Sequence, residues 1–491
     1  MKRTCFGKRQ SALAIFQTAM GAILVLGLLS GCTVGPDYHR PDYPLPSSWS
    51  SPMEGGETNA QPVDGAWWKT FQDPKLNSLI FRAAQSNLSL RVAEARIREA
   101  RAHRGVVASL EGPSMDVRAS YSRNRYSENG FPPLPPSVPH DYNLYAVGFD
   151  AWWELDLFGG IRRAVESANA EIGVAEFGRD DVLRSLLAEV ARNYIEARAF
   201  QRRLAITREN IQAQQRIVDL TRDLYHAGLT SDLDVQQAEA LLAATQSQVP
   251  TFETAFRNAT YRLDVLLGQP AGNVLNDLSE EAPIPATPPQ VPVGLPSDLL
   301  LRRPDVRRAE RELAAATARI GVAKADLFPR FSLTGDIGLV SLNASDWWTA
   351  GSRFWSVGPI VAWPVFTSGR IWANVHVQEA REEQAFAQYQ QIVLIAFEDV
   401  NSALTAYAKE QIRRQSLVQS VQANERALKL ADDLYRHGLT DFIRVLVSQR
   451  GLYLSQDSLV QSDQFVALNL VAIYKALGGG WAVDEAGRLA Q

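Results

Sequence analysis

Few side chains in this sequence are placed to do chemistry. The six histidines, His39, His103, His140, His226, His376 and His437, are scattered, and no two have the spacing of metal ligands. Glu154 and Asp156 stand close enough to serve as an acid–base pair. They also close an alternating apolar segment, which suits the end of a strand better. No glycine-rich phosphate loop and no serine nucleophile elbow appears. The residues therefore read as those of a protein that is not an enzyme and holds no metal, and any energy must come from a partner. What remains is one cysteine, Cys32, and two similar turns, Gly228-Leu229-Thr230 and Gly438-Leu439-Thr440.

Cys32 sits in an informative context. Lys2, Arg3, Lys8 and Arg9 precede an apolar stretch from Ala12 to Leu29, which ends in Leu29-Ser30-Gly31-Cys32. A basic start, an apolar middle and small residues before a cut site describe a secretory signal over residues 1–31. The last four residues resemble a bacterial lipobox, whose cysteine is acylated, typically with palmitate, and becomes the first mature residue. Cleavage removes Cys5 and four basic residues, leaving 46 basic against 54 acidic side chains, a net charge of −8. No disulfide can then form within one chain, and the covalent lipid on Cys32 is the only non-protein group expected; no cofactor is implied. Thr33, not Asp, follows the cysteine, and by resemblance to enterobacterial sorting signals this directs the protein to the outer membrane. Acyl chains anchor a protein in a leaflet without spanning it.

Composition alone points elsewhere. The chain has 491 residues, 46% hydrophobic and 21% charged, which fits a folded protein of several compact domains. The net charge of −4 gives no basic footprint for nucleic acid. Beyond the signal, no apolar run approaches the roughly 18 residues of a membrane-spanning helix.

The elements that position the two turns come from a duplication. Leu220–Thr230 matches Leu430–Thr440 at seven of eleven positions, at an offset of 210, and the register holds through Val235/Val445, Leu242/Leu452, Gln246/Gln456 and Gly268/Gly478. Gly105-Val106 pairs with Gly321-Val322, Pro113 with Pro329, and Phe158 with Phe366. The chain divides into a signal (1–31), an extended lead-in (32–73), a first copy (74–268), a proline-rich connector (269–297), a second copy (298–478) and a tail (479–491). The connector prolines predict an extended, non-helical path over the surface. Each copy predicts a helix, two strands, a very long helix, a tight turn and a return helix of about forty residues. The first helix is capped by Asp73-Pro74 and runs to about Leu110; its counterpart spans Pro304 to Leu327. The long helix from Gly160 to His226 would be about 100 Å in length. Its seam, Leu183, Leu187, Val190, Tyr194, Ala197, Leu204, Ile211 and Val218, has coiled-coil spacing, interrupted at Gln201, Arg208 and Gln215.

The strands settle where such helices belong. Met115, Val117, Ala119 and Tyr121 alternate with Asp116, Arg118, Ser120 and Ser122. Tyr145, Val147, Phe149, Ala151 and Trp153 share a second apolar face, Phe331, Leu333, Ile337 and Leu339 a third, and Trp355, Val357, Val361 and Trp363 a fourth. A half-buried soluble sheet alternates in this way, and so does a transmembrane β-barrel. The outer-membrane signal favours the barrel. Four strands cannot close one, and open edges cannot face lipid. Three chains would supply twelve strands. The loops Ser127–His140 and Ser341–Arg353 fall at one end of such a sheet.

Trp153-Glu-Leu-Asp-Leu-Phe-Gly159, Leu295-Pro-Ser-Asp-Leu-Leu-Leu-Arg-Arg-Pro-Asp-Val306, Ala318-Arg-Ile-Gly-Val-Ala-Lys-Ala325 and Tyr474-Lys-Ala-Leu-Gly-Gly-Gly-Trp481 together resemble the TolC-like outer-membrane efflux family. They are most similar to its lipoprotein branch, the OprM/NodT type, as is the mature start Cys32-Thr-Val-Gly-Pro-Asp-Tyr-His-Arg-Pro41. The resemblance implies a mainly α fold with a small β part. It implies a homotrimer with a twelve-stranded barrel in the outer membrane and a long coiled-coil α-barrel in the periplasm. It also implies a periplasmic adaptor and an inner-membrane pump of the resistance-nodulation-division type as partners. The implied function is the exit duct of a tripartite efflux pump for small molecules. A duct for type I protein secretion and a non-conducting periplasmic tether are the alternatives.

The family's pattern makes Gly228, Leu229, Thr230, Gly438, Leu439 and Thr440 adaptor-docking tips. The glycines also have a structural use as helix ends, where positive φ is easily reached. Acidic residues after the second tip commonly line the family's periplasmic gate. This sequence departs there, with Arg444 and Val447 where Asp is usual, which argues against an acidic ring at those positions. Asp234 holds the place in the first copy that Arg444 holds in the second, so an Asp234–Arg444 pair across neighbouring hairpins is one way to hold the gate closed.

Overall fold

The computed structural model describes residues 33–480, apart from 45, 51–55, 59–64, 132–134, 136, 289, 295 and 297–301. The signal peptide, Cys32, the tail beyond 480 and part of the Leu295–Val306 motif lie outside the described residues. The elements are α1 (Pro74–Ser86), α2 (Leu88–Ala108), β1 (Ser114–Arg125), β2 (Asp141–Leu155), α3 (Gly160–His226), α4 (Asp232–Gln246) and α5 (Gln248–Leu266). They continue as α6 (Asn273–Asp277), α7 (Pro304–Ala325), β3 (Arg330–Ser341), β4 (Arg353–Ala362), α8 (Arg370–Arg436) and α9 (Phe442–Ala476). The fold is mainly helical, with one four-stranded sheet and one two-residue parallel pair among the described residues. No described helix is long and apolar enough to cross a membrane. Compact units cut across the two sequence copies: one gathers the described part of 1–41 with Ile97–Val174 and Ala309–Tyr389, the other the described parts of Asp42–Arg96, Ala175–Arg308 and 390–491.

The first unit holds the sheet, antiparallel throughout in the order β1-β2-β3-β4. The ladder aligns Val117, Phe149, Ile337 and Trp355 in one row, with Met115, Ala151, Gly335 and Val357 in another. Side chains alternate across a pleated strand, so the predicted apolar faces merge into one. The two hairpin loops leave the same end, and all four helical connections leave the other.

The second unit holds the apolar core around Trp67, Phe71, Leu76, Leu79, Ile80, Leu187, Tyr194, Leu263 and Tyr474. Trp67 stacks on Tyr474 at 5.4 Å between ring centroids. Asp73 caps α1 as its position predicts, accepting from the backbone of Lys75 and Leu76 at 2.8 and 3.0 Å. Its second oxygen accepts the buried Tyr194 hydroxyl at 2.7 Å, tying the cap to α3.

Four expectations are corrected. The first helix does not run unbroken to Leu110: it breaks at Asn87, whose backbone is extended. There the Asn87 side chain accepts from Leu90 N–H and donates to Leu266 O, so it caps α2 and the end of α5 at once. The first return helix breaks at Ser247, because Pro250 has no N–H to give the Gln246 carbonyl. The connector is neither wholly extended nor superficial. The proline-free run Asn273–Asp277 forms a helical turn, held by Asp264, which accepts from Gly272 N–H at 2.6 Å and Val274 N–H at 2.9 Å. Val274, Leu278, Val291 and Val293 are buried, and Val291–Pro292 pairs in parallel with Glu57–Thr58. Finally, the seam of α3 keeps Leu204 and Val218 buried but fills its alternate positions one residue earlier than expected below Leu204. Thr207, Gln214 and Thr221 are buried, whereas Arg208 and Gln215 face outward. A straight helix of 3.6 residues per turn drifts off a strict 3.5 repeat, and over 67 residues the drift shifts every second buried position by one residue.

Candidate functional site

The two turns read from the sequence are one device built twice. At the end of α3, Gly228 has φ +73°, and its N–H donates to Tyr225 O at 2.9 Å while Leu229 N–H donates to Leu224 O at 2.8 Å. At the end of α8, Gly438 has φ +70°, with the matching bonds to Tyr435 O and Leu434 O, both 2.9 Å. This pair of bonds satisfies carbonyls that a helix end leaves open, and it requires the left-handed residue that glycine supplies. The next residue is thereby pushed outward. Leu229 and Leu439 are 74% and 72% exposed, large for leucines at the ends of well-packed helices.

Behind the turns, a small apolar cluster holds four helices together: Val218 from α3, Ala238 and Leu242 from α4, Ala431 from α8, and Phe442, Val445 and Leu446 from α9. The leucines are therefore presented by an ordered support.

Asp234, Arg444 and Val447, where the resemblance suggests a gate, have distinct surroundings. Asp234 closes a capping box with Ser231 at the start of α4, and its carboxylate also accepts the Thr230 hydroxyl at 2.5 Å. The second copy has Asp441 at the cap position without a side-chain cap bond, so Arg444 replaces an acid that there has no capping task. Arg444 is exposed. Within the chain, the group that faces Asp234 from the other hairpin is Tyr435: its hydroxyl is buried, and burial pushes the phenol up, with the Asp234 charge adding to the effect. Val447 lines a groove of about 680 Å³ between α4–α5 and α9, together with Leu241, Phe252, Ile443 and Arg450. Above it, Arg203 of α3 grips Asp457 of α9 through two bonds of 2.6 and 3.0 Å and lies over the Phe252 ring at 4.1 Å.

The sheet is the second candidate surface. Its apolar row is open to the surroundings: Val117, Ile337 and Trp355 are 64%, 61% and 75% exposed. The opposite face brings Asp116, Asp150 and Asp336 into one row. Like charges side by side destabilise a sheet, and Arg118, 3.1 Å from Asp150, offsets part of that. Glu154 and Asp156 both line a cavity of about 210 Å³ at the rim of the sheet, but Asp156 is taken up by the start of α3, accepting from Arg162 N–H at 2.9 Å and from its guanidinium at 3.3 Å. Among the described residues, no three His, Cys, Asp or Glu side chains come together to hold a metal.

One charged cluster escaped the sequence reading. Arg303, 3% exposed, bonds Asp305, Asp399 and the last carbonyl of α9, Ala476 O. Arg184 reaches Asp305 and Lys475 O from α3. Two guanidiniums thus cap the negative end of α9. Despite burial, these arginines hold the Asp305 carboxyl at about 2. The only sequence signal was the Arg302-Arg303-Pro304-Asp305 string, and nothing local in it names Asp399 or the α9 terminus.

Comparison with known proteins agrees with this geometry. The family model described as "Outer membrane efflux protein" matches residues 79–269 and 295–479. Nodulation protein T of Rhizobium leguminosarum bv. viciae is 34% identical, over 94% of this chain and 94% of its own. The toluene efflux pump outer membrane protein TtgI of Pseudomonas putida is 33% identical, over 95% and 98%. Among solved structures, the outer-membrane channel OprN superposes with a TM-score of 0.85 at 38% identity, covering 92% of this chain and 100% of that one. The open state of the Neisseria gonorrhoeae MtrE outer membrane channel gives 0.81 at 28% identity, covering 92% and 99%. With its two long hairpins, its exposed apolar sheet face and these matches along nearly its whole length, the chain belongs to the outer membrane efflux protein family and is one of its TolC-like outer-membrane channels.

Proposed function

We propose that this chain is the exit duct of a tripartite efflux pump, working as a homotrimer. Three four-stranded sheets close a twelve-stranded barrel in the outer membrane, and the long helical hairpins form an α-barrel that crosses the periplasm. The observation that carries this reading is the sheet. Its apolar face is exposed along all four strands, and its outer strands, β1 and β4, each have one edge without a partner among the described residues. Lipid tolerates the apolar face but not the open edges, so other copies must complete the ring.

The two tips, Gly228-Leu229-Thr230 and Gly438-Leu439-Thr440, dock a periplasmic adaptor, which passes solute from an inner-membrane pump of the resistance-nodulation-division type. Three chains present six such tips. The gate lies at the same end, with Asp234, Arg444 and Val447 at its rim. A lipid on Cys32 adds a second attachment to the outer membrane. Relatives are named for toluene, pyoverdine and cations, so small molecules of varied chemistry are the expected cargo, and the pump sets the choice among them.

Deleting the gene and scoring susceptibility to drugs, dyes, detergents and aromatic acids, alongside planar-bilayer conductance of the purified protein, tests the reading. Increased susceptibility to at least one class and a conducting trimer are expected. Unchanged susceptibility across the panel with no conductance would overturn it.

A further inference from the structure

The first described residues are fastened to the rim of the sheet. Val34 N–H donates to Phe158 O at 3.1 Å, in the link between β2 and α3. Arg163, in the first turn of α3 and 3% exposed, donates to Val34 O at 3.2 Å, Gly35 O at 3.4 Å and the Asp37 carboxylate at 2.7 Å, and is held by Glu166 at 2.7 Å. A buried guanidinium spending three contacts on an extended segment is costly unless the segment stays in place.

Steric fit says the same. Gly35 has φ +97°, and a Cβ there would overlap the Gly321 backbone of α7. A Cβ on Gly321 would strike the Arg163 stem and Val34 O, and one on Gly159 (φ +77°) would strike Thr33. Farther along, Tyr38 donates to Glu310 at 3.4 Å beneath the Arg311 guanidinium, and Arg40 pairs with Glu310 at 3.5 Å. Residues 33–41 thus form a strap along α7, seated most tightly at its first three residues.

That seat has a fixed height. Thr33 packs on Gly159, four residues past Leu155, the last residue of β2, at the helix-proximal rim of the sheet. Thr33, the first described residue, therefore lies at that rim. We propose that Arg163, with Gly35, Gly159 and Gly321, is a seat that places the lipidated N-terminus in the membrane level with the rim of the sheet, so that anchor and barrel enter the leaflet in register. This rests on the reading that Cys32 is acylated and that the sheet spans the outer membrane. Arg163 is a positioning residue: it acts on where the lipid inserts and leaves the acylation itself alone.

The test uses the full chain in cells fed a diazirine-bearing fatty acid, which is built into the lipid on Cys32. Photocrosslinks from the acyl chain are then mapped by mass spectrometry in the native protein, Gly35→Val, Arg163→Ala and Arg163→Lys. In the native protein, crosslinks within the chain should concentrate on the rim-proximal half of the sheet. In Gly35→Val and Arg163→Ala they should scatter or vanish, with partial return in Arg163→Lys. In parallel, Val34→Cys gives the mature chain one free thiol. Its maleimide labelling should rise about tenfold or more when Gly35→Val or Arg163→Ala is added, since charge-assisted bonds are lost. Intact mass separates the two layers of the argument: a mature chain without the lipid mass refutes acylation of Cys32, and the seat's role with it. A normally acylated chain whose crosslink map and labelling rate are the same in all variants refutes the seat alone.

Discussion

Phe149→Lys is the sharpest perturbation of the membrane assignment. Phe149 lies on β2, six residues from Leu155 at one end and eight from Asp141 at the other. At about 3.3 Å per residue this puts it near the middle of the apolar band. Its ladder neighbours on that face are Val117 and Ile337, with Trp355 beyond, and the two adjacent side chains offer an ammonium no acceptor. A lysine at the bilayer midplane of a barrel costs about 2–4 kcal/mol, a factor of roughly 30 to 1,000 in the folding equilibrium of each chain. Three copies in one trimer multiply the effect. Ala146→Lys is the control, because Ala146 lies on the opposite face, between Ser120 and Val340, where a charge costs little if that face meets water. The assay is urea titration of the trimer in phosphatidylcholine vesicles, read by its migration on unheated gels. Phe149→Lys should move the midpoint sharply down, and Ala146→Lys should leave it near the native value. Equal losses for the two, or a larger loss for Ala146→Lys, would refute the assignment of the faces.

Other expectations follow from buried charge and from the tips. Asp180 is buried, and loss of hydration raises its carboxyl to about 6 despite Arg179 at 2.9 Å. Folding therefore carries a penalty that is absent below pH 3.8, grows up to pH 6 and is then constant. Asp180→Asn should stabilise the chain by about 3 kcal/mol at pH 7 and by nothing near pH 3; a flat difference across that range in thermal melts would contradict the cause given. For Asp305 the sign is opposite: its carboxyl, held at about 2, contributes stability that is present above pH 3.8 and lost as pH falls through 2. Arg303→Met should cost about 3–5 kcal/mol at neutral pH by leaving buried carboxylate and carbonyl groups without a donor, and a melting temperature within a degree of native would count against it. Leu229→Asp or Leu439→Asp should abolish efflux while leaving the amount of trimer unchanged, because both side chains point away from the packed helices; normal export by either variant would sink the docking role.

The distribution of what was legible follows range. Helix ends, turns and strand faces are set by residues a few positions apart, so the Asp73 cap, the Gly228 and Gly438 turns and the alternation around Phe149 could be read directly. The candidate tips were legible for the same reason, helped by the repeat, which shows the same turn twice. The break at Asn87 was not, because its amide is satisfied by Leu266 O, which lies far away in sequence. Nor was the Arg303 cluster, whose partners sit on α8 and α9. The helical turn Asn273–Asp277 was hidden by the prolines on either side of it, since proline content describes a segment's average and not each residue in it.

By itself, the sequence determined the duplication, the long helices, the two-faced strands and the turns that end the hairpins. These depend on local sterics and on periodicity, which are written into neighbouring residues. The tertiary structure decided which polar residues the long helix buries, where the connector enters the core, how Arg163 holds the strap, and that Asp234 also serves as a helix cap. Each of those depends on which distant donor, acceptor or surface arrives at a given place. That is fixed only when the elements pack, because a buried polar group must find a partner, and a sequence does not say which one.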